Sequence, residues 1–190
     1  MDTGDLAGAL RVGTALLDEV VDRDWTVDVP GLTWTVAATV AHIADGLLWY
    51  ATDAVAGPHE LSTAEVRVRP ETPPADLVRT VRTFGTVLGH VLAVAPPDTR
   101  GWHPWGVSDM AGFAAMGSIE VLVHGHDVAR GLDVPFEPPA ELVTPVLRRL
   151  FPEAPADTDP WQTLLWATGR QPLGDRPRRE GWRWHSAPLP

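Results

Sequence analysis

Four long stretches of this chain carry apolar residues at helical spacing, and proline or glycine separates each from the next. Such a pattern restricts the fold to helices packed side by side. The first stretch runs from Leu6 to Val21, with Gly13 on its apolar stripe at a cost of about 1 kcal/mol relative to alanine. Thr35 is placed to cap a second helix from Val36 to about Val55, closed by Gly57-Pro58. A proline-rich connection leads to a third helix, Ala75 to Val94, stopped by Pro96-Pro97. Ser108 is expected to cap a fourth, which ends near Gly131. Beyond it the pattern predicts short helices over Ala140–Phe151 and Trp161–Thr168. The run Gly181-Trp182-Arg183-Trp184-His185 reads either as a short strand or as tryptophans docked on the helices. The expected architecture is therefore all-α: a four-helix bundle over residues 1–134, with a small C-terminal appendage, 135–190, packed on it.

The 190 residues suffice for one domain with a proper core. The formal net charge is -10, and all 15 basic residues are arginine. That balance argues against nucleic-acid or anionic-membrane partners, both of which need basic surface. Polar groups break the longest apolar runs before the roughly 18 residues of a membrane span. The start Met1-Asp2-Thr3-Gly4-Asp5 lacks the basic opening of a signal peptide. These features predict a cytoplasmic protein, monomeric or homodimeric, acting on a small molecule. The chain has no cysteine, which excludes disulfides, thiolate metal sites and cysteine nucleophiles.

Chemistry concentrates in Ser118-Ile119-Glu120-Val121-Leu122-Val123-His124-Gly125-His126-Asp127. Residues four apart on a helix share a face, about 5–6 Å between Cβ atoms. On a helical wheel Glu120, His124 and Asp127 form one stripe among Phe113, Met116, Val121 and Val128, while His126 and Arg130 point toward the expected solvent side. A buried carboxylate needs a cation, a proton or a salt bridge. His42, in Val40-Ala41-His42-Ile43-Ala44-Asp45, supplies a second imidazole from another apolar helix. Two histidines and one carboxylate form a common catalytic metal set. Spacing alone leaves two readings open, a metal site and a satisfied polar cluster.

Asp45 and Asp127 are candidates to orient ligand imidazoles, with helix-surface acids as the alternative. His103, in the loop before the fourth helix, is a candidate for the mouth of the site, or else a surface histidine. Trp34, Trp49, Trp102 and Trp105 flank the site in sequence and read as core residues or, alternatively, as the walls of a pocket. Arg79, Arg82, Arg130 and Arg170 are candidate contacts for an anionic substrate or, alternatively, solvated surface groups. His59, His90 and His185 have no evident partners.

Trp34-Thr35-Val36, Ala41-His42-Ile43-Ala44-Asp45 and Glu120-Val121-Leu122-Val123-His124-Gly125-His126-Asp127 resemble the two motifs of DinB-like metal-binding bundles. The similarity is greatest to the mycothiol-dependent maleylpyruvate isomerase group. Leu165-Trp166-Ala167-Thr168-Gly169-Arg170 and the closing tryptophans resemble that group's C-terminal segment. The resemblance implies a bundle holding a divalent metal, usually zinc, through His42, Glu120 and His124. It also implies that the metal activates a low-molecular-weight thiol such as mycothiol for attack on an electrophile, by transfer or isomerisation. Only about 60 residues follow Gly131, a length suited to an appendage more than to a second domain. Asp45 or His103 would move the proton. Two other classes remain open: non-haem iron, lyase or cyclase chemistry at the same ligands, and a non-catalytic small-molecule-binding bundle.

Overall fold

The computed structural model describes residues 1–189. Six helices follow in order: α1 (Thr3–Glu19), α2 (Val36–Ala56), α3 (Pro74–Val94), α4 (Met110–Gly131), α5 (Ala140–Leu150) and α6 (Pro160–Ala167). Among the described residues there are isolated β-bridges and no strand, so the fold is all-helical. Of the two readings of the closing segment, docking holds: Trp184 is buried and Trp182 is partly buried against the core.

Three of the four long helices start on a side-chain cap, whereas α3 starts on Pro73-Pro74 without one. Asp2 and Asp5 form a reciprocal capping box on α1. Thr35 accepts from the Ala38 amide at the start of α2, as its position predicts. On α4 the cap is Asp109, which accepts from the Gly112 amide, and not the expected Ser108. Ser108, one residue earlier, accepts instead from the guanidinium of Arg149, at 3.3 Å.

α1 packs on α3 and α4, and α2 packs on α3 and α4, so α4 has neighbours on several sides. Sixteen of its residues are buried, among them Phe113, Met116, Ile119 and Leu122. Close approach there depends on missing side chains. A Cβ at Gly13 would lie 2.1 Å from a methyl of Val121, so the glycine that weakens α1 locally is what lets α1 seat against α4. By length and composition α3 would qualify as a membrane span. Here it buries Leu77, Val78, Val81, Leu88 and Leu92 against the bundle and exposes Arg79, Arg82, Thr83 and Thr86.

The segment after α4 folds back on the bundle. α5 contacts α4 and α1, and α6 contacts α5. A buried arginine ties its end down. Arg149 donates to Asp109 Oδ1 at 2.7 Å and to the carbonyls of His185 and Ser186, each at 3.1 Å. Ser186 Oγ in turn donates to the Gly106 carbonyl at 2.6 Å. The closing tryptophans are thereby held against the loop that precedes α4.

Candidate metal centre

Glu120 and His124 lie one turn apart on α4, and His42 faces them from α2. Candidate ligand atoms of the three lie within 4.8 Å of one another. Glu120 Oε2 is 3.4 Å from His42 Nε2 and 3.3 Å from His124 Nε2. These contacts fall outside hydrogen-bond geometry, so Oε2 is a buried oxygen with no donor among the described residues. Its companion Oε1 is fixed by the Tyr50 hydroxyl, which donates to it at 2.7 Å. Gly46 on α2 leaves the room Glu120 occupies: a Cβ there would meet Glu120 Cγ at 3.4 Å.

Whether these residues suit a metal is decided by that oxygen and its neighbours. A tetrahedral ion with bonds of about 2.0–2.2 Å sets adjacent ligand atoms roughly 3.3–3.6 Å apart. The two Glu120–histidine separations fall in that interval. An undonated buried carboxylate oxygen also calls for positive charge. The three donors therefore fit a divalent cation, and His₂-carboxylate is a set that leaves further positions open.

Electrostatics point the same way. Burial works to raise the Glu120 carboxyl, yet the two imidazoles hold it well below the usual carboxylate range. Burial lowers His124, but hydrogen bonding to Asp127 and the nearness of Glu120 outweigh it and push the group up to about 9. Without a metal, a proton on His124 supplies the positive charge that the pocket requires.

Asp127 orients His124, as one of its two sequence readings anticipates. His124 Nδ1 lies 2.9 Å from Asp127 Oδ2. Arg170 donates to the same carboxylate through Nη2 at 2.7 Å and Nε at 3.3 Å. Burial alone would raise Asp127, but His124 and Arg170 hold it at about 2. An ionised carboxylate only accepts, so Nδ1 carries a hydrogen, and it is Nε2 that would give up its proton and offer its lone pair to an ion between Glu120 and His42.

Asp45 has a different task. Its Oδ1 accepts from the Val68 amide at 2.7 Å, pinning the connection between α2 and α3, and no hydrogen bond joins it to His42. Burial raises its carboxyl, partly offset by that amide. His103 is buried, not a surface histidine, and sits 5.3 Å from Trp184 and 6.1 Å from Tyr50, ring to ring. Its Nδ1 accepts the Trp105 amide at 3.1 Å. Burial lowers His103 to about 4 despite the opposing pull of Glu120, so the ring is neutral near pH 7 with its hydrogen on Nε2. Arg79 and Arg82 lie away from the site, paired with Asp76 and Asp18.

The remaining departures concern aromatic residues. Trp34 is not core: it is 37 % exposed, with its ring 4.7 Å from that of His42 and 6.1 Å from that of His124. Trp49 meets His42 edge-on at 6.4 Å. His126 does not face open solvent, because Trp161 of α6 packs on it edge-on at 5.7 Å. A cavity of about 320 Å³ opens over the three candidate ligands and is walled by Trp105, Trp182 and Trp184. Tyr50 and the Arg170–Asp127 pair are contributors that periodicity alone does not reveal.

The family model for the mycothiol maleylpyruvate isomerase N-terminal domain matches residues 6–129. The chain belongs to that family. Within this mycothiol maleylpyruvate isomerase N-terminal domain, the matched span contains His42, Glu120, His124, Asp127 and Tyr50. Arg170, Trp182 and Trp184 lie beyond it. Comparison with curated proteins and with solved structures finds no match.

Proposed function

We propose that the protein is a divalent-metal enzyme, with zinc held by His42, Glu120 and His124, that activates an external thiol such as mycothiol for attack on a small electrophile. The observation that carries this reading is Glu120 Oε2, buried without a donor at 3.3–3.4 Å from two imidazole nitrogens. Membership of the mycothiol-dependent family supports the choice of thiol. A bound divalent ion deprotonates a coordinated thiol whose free pKa is about 8.5.

The chain's own residues prepare that chemistry. Asp127, anchored by Arg170, fixes His124 with its Nε2 turned inward. Tyr50 restrains one carboxylate oxygen of Glu120 and leaves the other for the ion. Trp105, Trp182 and Trp184 offer flat apolar faces to a small substrate at the cavity wall. His103 has too low a basicity to take a proton near pH 7; its Nε2–H suits it to donate a hydrogen bond. Asp45, occupied by the Val68 amide, serves the site by holding the neighbouring loop.

Elemental analysis of the purified protein beside His124→Ala is the test, followed by thiol consumption against a panel of activated alkenes and epoxides. About one zinc per chain, lost in the variant, with thiol-dependent turnover, is the expected result. Iron with oxygen-dependent activity would move the chemistry to the non-haem oxygenase class. Absence of metal and of turnover would leave a small-molecule-binding bundle.

A further inference from the structure

A second cavity, of about 610 Å³, adjoins the first and shares Thr168, Arg170 and Trp182 with it. Three separate stretches build it: the turn at Pro30–Leu32, the last turns of α4, and the loop from Thr168 to Trp182. Its lining carries four arginines, Arg130, Arg170, Arg178 and Arg179, against two acids, Asp127 and Glu180. In a chain of net charge -10, that local surplus of positive charge runs against the composition.

The two acids of the lining offset the four guanidinium groups only in part: Glu180 can balance one of them, and the other acid is already engaged. Asp127 is already shared between Arg170 and His124. Arg179 reaches away to Glu153, at 3.2 Å. Among the described residues, the ion pairs leave Arg130 and Arg178 with no carboxylate partner. The negative end of α4 accounts for one basic residue in its last turn, Arg130. It does not account for Arg178 and Arg179, which a distant loop brings to the same hollow. Gly31 and Gly181, both with positive φ, line it without side chains, and a Cβ at either would meet nothing within 4 Å.

We propose that this cavity is a binding site for an oxyanion, a carboxylate or phosphate group carried by a small molecule. Planar guanidinium groups recognise both groups through paired N–H donors. The site stands independently of the metal reading, since Arg130, Arg178 and Arg179 do not touch the candidate ligands.

The test is calorimetric titration of the full chain with inorganic phosphate and with succinate, ionic strength held constant with sodium chloride. Zinc-loaded and chelator-treated protein are compared. Saturable binding of at least one anion is expected in both forms, with the preferred anion identifying the phosphate or the carboxylate source. The double variant Arg130→Gln/Arg178→Gln is expected to weaken it tenfold or more, while Arg69→Gln, exposed and outside the cavity, leaves it unchanged. No saturable heat with either anion, or equal affinity in the double variant, would overturn the proposal. Binding confined to the zinc-loaded form would overturn it as well, by assigning the anion to the metal.

Discussion

Tyr50 on α2 donates its hydroxyl to Glu120 Oε1 on α4, across 2.7 Å in a site where both side chains are buried. The bond makes the two carboxylate oxygens unequal: one is satisfied by the protein, the other is left facing the imidazoles. Tyr50→Phe removes the hydroxyl and keeps the ring. Metal affinity is expected to fall tenfold to a hundredfold, as for other groups that orient a ligand. Competition with a chromophoric chelator measures it; unchanged affinity would show that packing alone positions Glu120.

Asp127→Asn tests the other orienting contact. The amide cannot match the carboxylate's charge on Arg170, and it presents His124 with a donor as readily as an acceptor. Metal affinity should again drop by one to two orders of magnitude. Thermal stability should fall as well, by roughly 3–5 kcal/mol, because Arg170 loses its buried counter-charge. Differential scanning calorimetry and metal analysis read the two effects separately.

Gly13→Ala sets local preference against packing. In an isolated helix the change would stabilise by about 1 kcal/mol. Here the new methyl would collide with Val121, whose β-branched side chain has little room to turn. A net loss of about 1–3 kcal/mol is expected in urea denaturation. A gain would mean that α1 and α4 move apart at this contact at little cost.

The contribution of His103 to stability should fall on mild acidification. His103 is held at about 4 in the fold, against about 6.5 when unfolded. Between those values the unfolded chain takes up a proton that the folded chain refuses, so this contribution is complete above pH 6.5 and lost as pH falls toward 4. The contribution is on the order of 3 kcal/mol. It should be missing from His103→Asn and so appear as a pH-dependent difference between the two proteins in denaturant titration from pH 7 to 4; identical pH profiles would contradict it.

Much of this was legible in the chain because it is local. Thr35 reads as a cap from its neighbours, and Glu120 and His124 share a face by spacing alone. What escaped depends on distant residues. Tyr50 in an apolar helix looks like core until Glu120 is placed opposite it. The pairing of Arg170 with Asp127 spans 43 positions, and no periodicity encodes it. A helical wheel put His126 toward solvent because it takes no account of Trp161, which later covers it. Ser108 and Asp109 are both good caps by residue type, and adjacency in sequence does not choose between them; in the fold the Gly112 amide goes to Asp109.

The clasp formed by Arg149 divides responsibility along the chain. The residues facing the cavity floor come from the span that defines the family, whereas Trp182 and Trp184, on its wall, come from the stretch that the clasp secures. Sequence drift in that closing stretch can reshape what the hollow admits while the floor stays as it is, so relatives alike over residues 6–129 need not accept the same guest.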